Sequence, residues 1–496
     1  MAANFPTTLP AIARVLPTDY MNDVGKEADL LHNEIADEIE ALAAAVGVTG
    51  SIVPGTVEAR LASAVTFNND PVTGVNDLGN IPTNQLYKAT RRATMAVVGD
   101  SFAAYSGLVL DPAGWSGVYY SNKPMTWVRA MLGVRFDFIY YSGASGTPPS
   151  TWITNGSVDS AIATHPDYLF ITGDADGGAT SVADFTAAYA EIFRRANVAG
   201  VMCIAHTIPP NNTLASAGAR TNVQKYNEWL TNVAASLYNV IVINVTGASL
   251  DRTSNLYVPD LTVTDGVHWG RGGAFGAGAL MAKVLDTIIP VGPPVPWIEM
   301  YEDDGTKRHG VIKSPLNTGT GGSISILTTS TGIPDGKVVS ASAGQSGTCN
   351  TSARLDGEPG NWLDFDVTFT AVDKYARSYE LNAGRLGGLV AGTDSIEFFA
   401  EIKLDESTLA VVKFPYFYVE FSGLTNIYLA SIAPTPSSTY AVGSTMVKNT
   451  YTAGVLTLST GRVLIPAGAT AYNIYCGVQS ASSGNCKFSI GRIGFS

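Results

Sequence analysis

The chain has 496 residues, 46% of them hydrophobic and only 15% charged, with 51 glycines and 25 prolines. That length exceeds one core and implies two or three domains, and the profile suits a loop-rich, β-containing extracellular or structural protein. A formal net charge of -12 opposes nucleic acid or an anionic membrane surface as partner, because either would repel it.

The opening, "MAANFPTTLPAIARV", lacks the basic start and continuous apolar core of a signal peptide. No apolar run reaches the roughly 18–20 residues needed to span a membrane, so neither a leader nor membrane insertion is expected. Residues 1–65 then carry a strongly helical stretch, "DVGKEADLLHNEIADEIEALAAAVG". Ala28, Ile35, Ile39, Leu42 and Val46 fall near heptad spacing, interrupted by His32. A short coiled coil and a surface helix packed on its own domain both fit. A second short helix, "TVEARLASAVT", follows Pro54-Gly55, and the turn-rich residues 66–92 read as a linker.

From 93 to 289 strands alternate with helices. "TMAVVG", "FDFIYYSG", "DYLFITG", "VMCIAHTI" and "NVIVINVTG" are short apolar runs expected of strands buried on both faces. "MTWVRAML", "VADFTAAYAEIFRRANV", "NVQKYNEWLTNVAASLY" and "AFGAGALMAKVLDTII" have amphipathic or apolar helical spacing. The expected fold is a three-layer α/β/α domain on a parallel sheet, whose ligands sit outside the carboxyl ends of the strands. "PVGPPVPW", residues 290–297, is a stiff Pro-rich linker. Beyond it, in 298–496, the helical period gives way to short alternating segments such as "SIEFFAEIKL" and "PYFYVEFSG", which predict an antiparallel β-sandwich. Four cysteines make no disulfide framework. Cys203 reads as a buried thiol, and Cys476 and Cys486 flank a polar loop across which they could face each other as in a hairpin, with bonding left open.

The first strand breaks at Gly99-Asp100-Ser101. Serine becomes a nucleophile at neutral pH only with a base, which in turn needs an orienting carboxylate. Of five histidines, His32 and His309 lie outside the α/β region, and His165 precedes a strand at the wrong edge of the sheet. His206 ends a strand with no carboxylate near it in sequence. His268 follows Asp265 by three residues in "TVTDGVHWGRGG", after the last strand and before the last helix. Ser101, Asp265 and His268 therefore belong to one sheet edge. A capping turn and a polar loop are the plainer readings of the two motifs taken singly.

Together, Gly-Asp-Ser and Asp-x-x-His on this α/β pattern resemble the SGNH (GDSL-type) hydrolases over about residues 93–289. The resemblance implies Ser101 as nucleophile, His268 as general base and Asp265 as its orienting partner. It also implies an oxyanion hole from the Ser101 N–H, a glycine (Gly146, or Gly143 in the alternative register) and an asparagine after the third strand. Here that block reads Gly173-Asp174-Ala175-Asp176, so Ala175 replaces the asparagine and one donor is lost. Such a loss typically costs on the order of 10²–10³-fold in rate. The acidic run "DADGG" holds only part of a calcium loop, so no metal is expected, and the family implies no cofactor. Trp115, Tyr119, Tyr120 and Trp127, in the insertion after the serine, are candidates either to meet sugar rings or an acyl chain, or to pack the insertion itself.

The N-terminal segment is similar to helical segments of bacteriophage tail-fibre and tailspike-like proteins. That resemblance implies a trimeric virion protein acting at the host surface, attached to other tail proteins through residues 1–65. Its expected activity is removal of acyl groups, acetyl foremost, from an envelope polysaccharide or other acylated glycan. Two alternatives stay open: a glycan-binding adsorption protein with a degenerate site, favoured by Ala175, and a bacterial secreted carbohydrate esterase.

Overall fold

The computed structural model describes residues 91–496, apart from 105–108, 112–114, 174–178, 210–216, 249, 252–255, 258–260, 263–265, 293–313, 315, 383–385, 387–388, 424–426, 433–453 and 496. The chain divides into two units, Met1–Pro82 and Thr83–Ser496, and everything described belongs to the second. The heptad-patterned segment and nearly all of both linkers lie outside the described residues.

Five parallel strands form the central sheet: β1 (Ala93–Gly99), β4 (Phe136–Gly143), β5 (Tyr168–Thr172), β6 (Met202–His206) and β7 (Val240–Ile243), in the order β4–β1–β5–β6–β7. Alternate residues of β1 feed two cores, as the pleat requires. Met95 and Val97 face α1 (Pro124–Met131) and α6 (Arg271–Leu285), where the Trp127 and Phe275 rings meet edge to face at 5.2 Å. Ala96 and Val98 face α2 (Pro149–Thr154), α3 (Ser157–Ala163), α4 (Val182–Val198) and α5 (Ala217–Trp229). Burial on both faces is why these strands read as continuous apolar runs. Among the described residues no helix is long and apolar enough to cross a membrane.

The insertion after Ser101 leaves this domain. It forms β2 (Val109–Asp111) and β3 (Trp115–Val118), which join the edge of a sheet built mostly from the C-terminal third. That sheet also contains β10 (Gly321–Ser325), β11 (Ile333–Ala341), β14 (Tyr375–Asn382), β17 (Val412–Ser422), β18 (Ile427–Ile432) and β21 (Ala471–Ser480). A second sheet is formed by β12 (Ser346–Ala353), β13 (Asn361–Phe369), β16 (Phe398–Leu404), β19 (Val455–Ser459) and β22 (Gly484–Phe495). Pairing is antiparallel except for β10–β11 and β18–β3.

Cys476 and Cys486 do not face each other across a hairpin. Cys476 lies in β21, paired with β14 and β17, whereas Cys486 lies in β22, paired with β13 and β16. The short connection between those strands passes from one sheet to the other. All four thiols are free and buried, and burial pushes Cys476 and Cys486 up to about 12.

The two sheets and the α1/α6 face of the α/β domain share one continuous apolar core. A buried ion cluster crosses the same boundary. Glu397, 1% exposed, accepts Arg92 at 2.6 Å and Arg129 at 3.0 Å, and takes the Ser459 hydroxyl as well. Asp137 completes it at 2.9 Å from Arg129 and 3.3 Å from Arg92. Burial opposes ionisation of Asp137, but the two guanidinium groups outweigh it and hold the carboxyl below its ordinary value. Removing one member of such a pair leaves buried charge uncompensated. Glu397→Ala is expected to destabilise the protein by about 3–5 kcal/mol in urea unfolding, and a loss under about 1 kcal/mol would show that the cluster does not hold the two parts together.

Candidate active site

β1 ends in a turn that closes on Asp100. The Asp100 carbonyl accepts the N–H groups of Ala103 (3.1 Å) and Ala104 (3.2 Å), and its carboxylate accepts that of Phe102 (2.9 Å). Neighbouring strand ends crowd this turn. A β-carbon on Gly143, at the end of β4, would lie 2.3 Å from the Ala104 nitrogen and 2.5 Å from the Asp100 carbonyl oxygen. One on Gly173, just past β5, would lie 2.6 Å from the Asp100 carboxylate. Glycine here serves close approach.

Ser101 emerges half-buried at the carboxyl edge of the sheet. Its Oγ lies 2.6 Å from Nε2 of His268, although 167 positions separate them. With the imidazole proton on Nδ1, Nε2 accepts the serine hydroxyl, the arrangement a general base requires. The Ser101 N–H donates to no acceptor among the described residues. Phe102 walls the imidazole at 5.1 Å between ring centroids and meets Trp269 edge-on at 5.3 Å. Asp265 and Ala175 lie outside the described residues.

Two further titratable groups of this domain are buried, one of them against the turn. Lys123, 4% exposed, donates from Nζ to the carbonyls of Ser101 and Phe102, each at 3.0 Å. Burial pushes its amine down to about 7, against the pull of Asp100. His206 sits in the core beneath Trp269, with Nδ1 2.8 Å from the Thr207 carbonyl and Nε2 2.7 Å from the Thr172 hydroxyl. The carbonyl can only accept, so the proton is on Nδ1 and Thr172 donates to Nε2. Burial pushes this imidazole down to about 4 and keeps it neutral at physiological pH.

The insertion aromatics are placed differently from one another. Trp127 is fully buried in α1 and donates its indole N–H to the Ser121 carbonyl at 2.7 Å. Tyr119, 4% exposed, lies under the Arg129 guanidinium at 4.9 Å. Both rings pack the core, where neither can stack on a sugar, so the surface reading of these two is corrected. Tyr120 is half-buried, and Trp115 lies in β3. Of the two glycine registers, Gly143 lies against the Asp100–Ala104 turn, while Gly146 occupies a left-handed turn with φ of 65° and open space beside it. Sequence reasoning missed Lys123. Its one signal was a cation directly before Pro124 at a helix start, where the dipole disfavours positive charge.

A groove of about 1110 Å³ lies away from Ser101, across the second sheet. The register aligns Asn350, Asp364, Ser489 and Lys403 in one cross-strand row, with Asp366 and Lys487 paired in the next.

No family model and no curated protein matches this chain. Among solved structures it is similar to a catalytic mutant of an acetylxylan esterase from Geobacillus stearothermophilus, at 14% identity and TM-score 0.33, over 42% of this chain and 99% of that one. A carbohydrate esterase family 3 protein from Talaromyces cellulolyticus matches at 15% identity and TM-score 0.31, over 40% of this chain and 98% of that one. A GDSL-like lipase from Bacteroides thetaiotaomicron matches at 14% identity and TM-score 0.30, over 39% and 88%.

Gly143→Ala is expected to lower thermal stability and any Ser101-dependent activity together, since its new methyl meets backbone that must move. A variant with wild-type melting and rate would show that the turn has slack. His206 gives a pH signature. Between its ordinary 6.5 and about 4 the unfolded chain binds a proton that the folded chain refuses. Stability should therefore fall by ~3 kcal/mol as pH drops through that window. His206→Gln should flatten that slope in melts from pH 8 to 4, and an unchanged slope would assign it to other groups.

Proposed function

We propose that this chain hydrolyses carboxylic esters, with an acylated cell-surface glycan as substrate. The observation that carries the reading is the 2.6 Å contact between Ser101 Oγ and His268 Nε2 at the carboxyl edge of a parallel sheet. Ser101 attacks the ester carbonyl as Nε2 takes its proton, and the oxyanion meets the Ser101 N–H and a backbone N–H from Gly146 or Gly143. His268 returns the proton to the departing alkoxide, leaving an acyl-serine. Water, deprotonated by the same imidazole, then releases the acid. Asp265 is assigned to hold the Nδ1–H tautomer. No metal or organic cofactor enters these steps.

The glycan assignment is supported by the groove on the second sheet, whose amide, hydroxyl, carboxylate and ammonium groups offer both donors and acceptors to a polyol. We place the enzyme on a phage tail as a homotrimer, joined to other tail proteins through residues 1–65, on the strength of the heptad-spaced apolar positions there. Ala175 favours a second reading, a binding protein with little turnover.

The test is p-nitrophenyl acetate hydrolysis by the wild type and Ser101→Ala, followed by acetate release from O-acetylated polysaccharide. The expected loss in Ser101→Ala is on the order of 10³-fold or more. Equal background rates would overturn the esterase reading and leave the binding one. Ala175→Asn should raise or preserve the rate of an active enzyme and leave a binding protein flat.

A further inference from the structure

We infer that Lys123 is the positioning residue of the nucleophile turn, its amino group fixing the two peptide planes that follow Ser101. The inference rests on the ester-hydrolase reading above. The plane between Ser101 and Phe102 is held at both ends: its N–H goes to the Asp100 carboxylate at 2.9 Å and its carbonyl to Lys123 Nζ at 3.0 Å. The plane between Phe102 and Ala103 is held the same way, by the Asp100 carbonyl at 3.1 Å and Lys123 Nζ at 3.0 Å. Asp100 and Lys123 thus clamp the turn from opposite sides. The first plane sets the backbone of Ser101, and the second sets Phe102, whose ring walls His268. One amine governs the aim of both nucleophile and base.

The arm that delivers this amine has a fixed root. Ser121, two residues earlier, takes the Trp127 indole N–H on its carbonyl and the Arg271 guanidinium on its hydroxyl at 3.0 Å. Arg271 in turn lies over the Phe414 ring of β17 at 4.4 Å. Burying an amine costs free energy that packing alone would not recover, and the two carbonyls offset that cost. A neutral amine still carries two N–H donors, one for each carbonyl, so the clamp survives loss of the proton. Lys123 contacts the carbonyl oxygen of Ser101 whereas His268 contacts its Oγ, so the Lys123 contact bears on aim.

The experiment compares wild type, Ser101→Ala, Lys123→Met and Lys123→Arg in p-nitrophenyl acetate kinetics, with melting curves for each. Misplacement of a reacting group by about 1 Å costs up to ~10²-fold, so kcat of Lys123→Met should fall roughly tenfold to a hundredfold. KM should stay within about twofold, and Lys123→Arg, which keeps donors, should regain part of kcat. A folded Lys123→Met with wild-type kcat would overturn the inference. So would a loss carried entirely in KM. If Lys123→Met does not fold, Lys123→Gln supplies the same comparison, and failure of both to fold would make Lys123 a structural residue only. A wild type without Ser101-dependent turnover would instead defeat the esterase reading, and this inference with it.

Discussion

Two strand ends close on the Gly99–Ala104 turn with no room for a β-carbon, and the placement of Ser101 follows from that contact. Gly143 and Gly173 bring the backbones of β4 and the β5 edge against Asp100 and Ala104. The turn is therefore shaped by its neighbours as much as by its own residues. Asp100 spends both its carboxylate and its carbonyl inside the turn, on Phe102, Ala103 and Ala104. A turn pinned in this way leaves the Ser101 backbone little freedom to reorder.

The β-rich third is bound to the α/β domain by burial and charge together. The shared apolar core supplies area, and Glu397 with Arg92, Arg129 and Asp137 supplies register, because paired charges tolerate little displacement once buried. The insertion after Ser101 strengthens the link by adding β2 and β3 to the eight-stranded sheet. Its return strand leads to Ser121 and Lys123, which reconnect to Arg271 and to the turn at Ser101. The chain thus leaves the carboxyl edge of the central sheet, pairs along one edge of the eight-stranded sheet and comes back to contact the turn it left.

Much of the α/β fold was legible because its signals are local. Strands covered on both faces must be apolar throughout, and helices between them must keep one apolar stripe, so "DYLFIT" and "VADFTAAYAEIFRRANV" announce themselves. Serine after a strand and histidine three residues beyond an aspartate are also readable, since the chemistry admits few residue types. Aromatic rings are less informative. Tyr119 and Trp127 carry the same apolar signal whether they line a binding surface or fill a core, and packing against Arg129 and Phe275 decided for the core. The Cys476–Cys486 spacing suits a hairpin, but the two strands face different partners and the thiols separate into two sheets.

What the sequence determined by itself was the order of strands and helices and which few side chains are candidates for chemistry, because periodicity and functional-group chemistry are written along the chain. Only the tertiary structure decided that Ser101 and His268 lie 2.6 Å apart, that Lys123 is buried against the Ser101 and Phe102 carbonyls and that Glu397 joins the two parts of the described molecule. The physical reason is the same in each case. Burial of a charge and closure of a contact over many residues depend on what packs around them, and the neighbours come from distant parts of the chain.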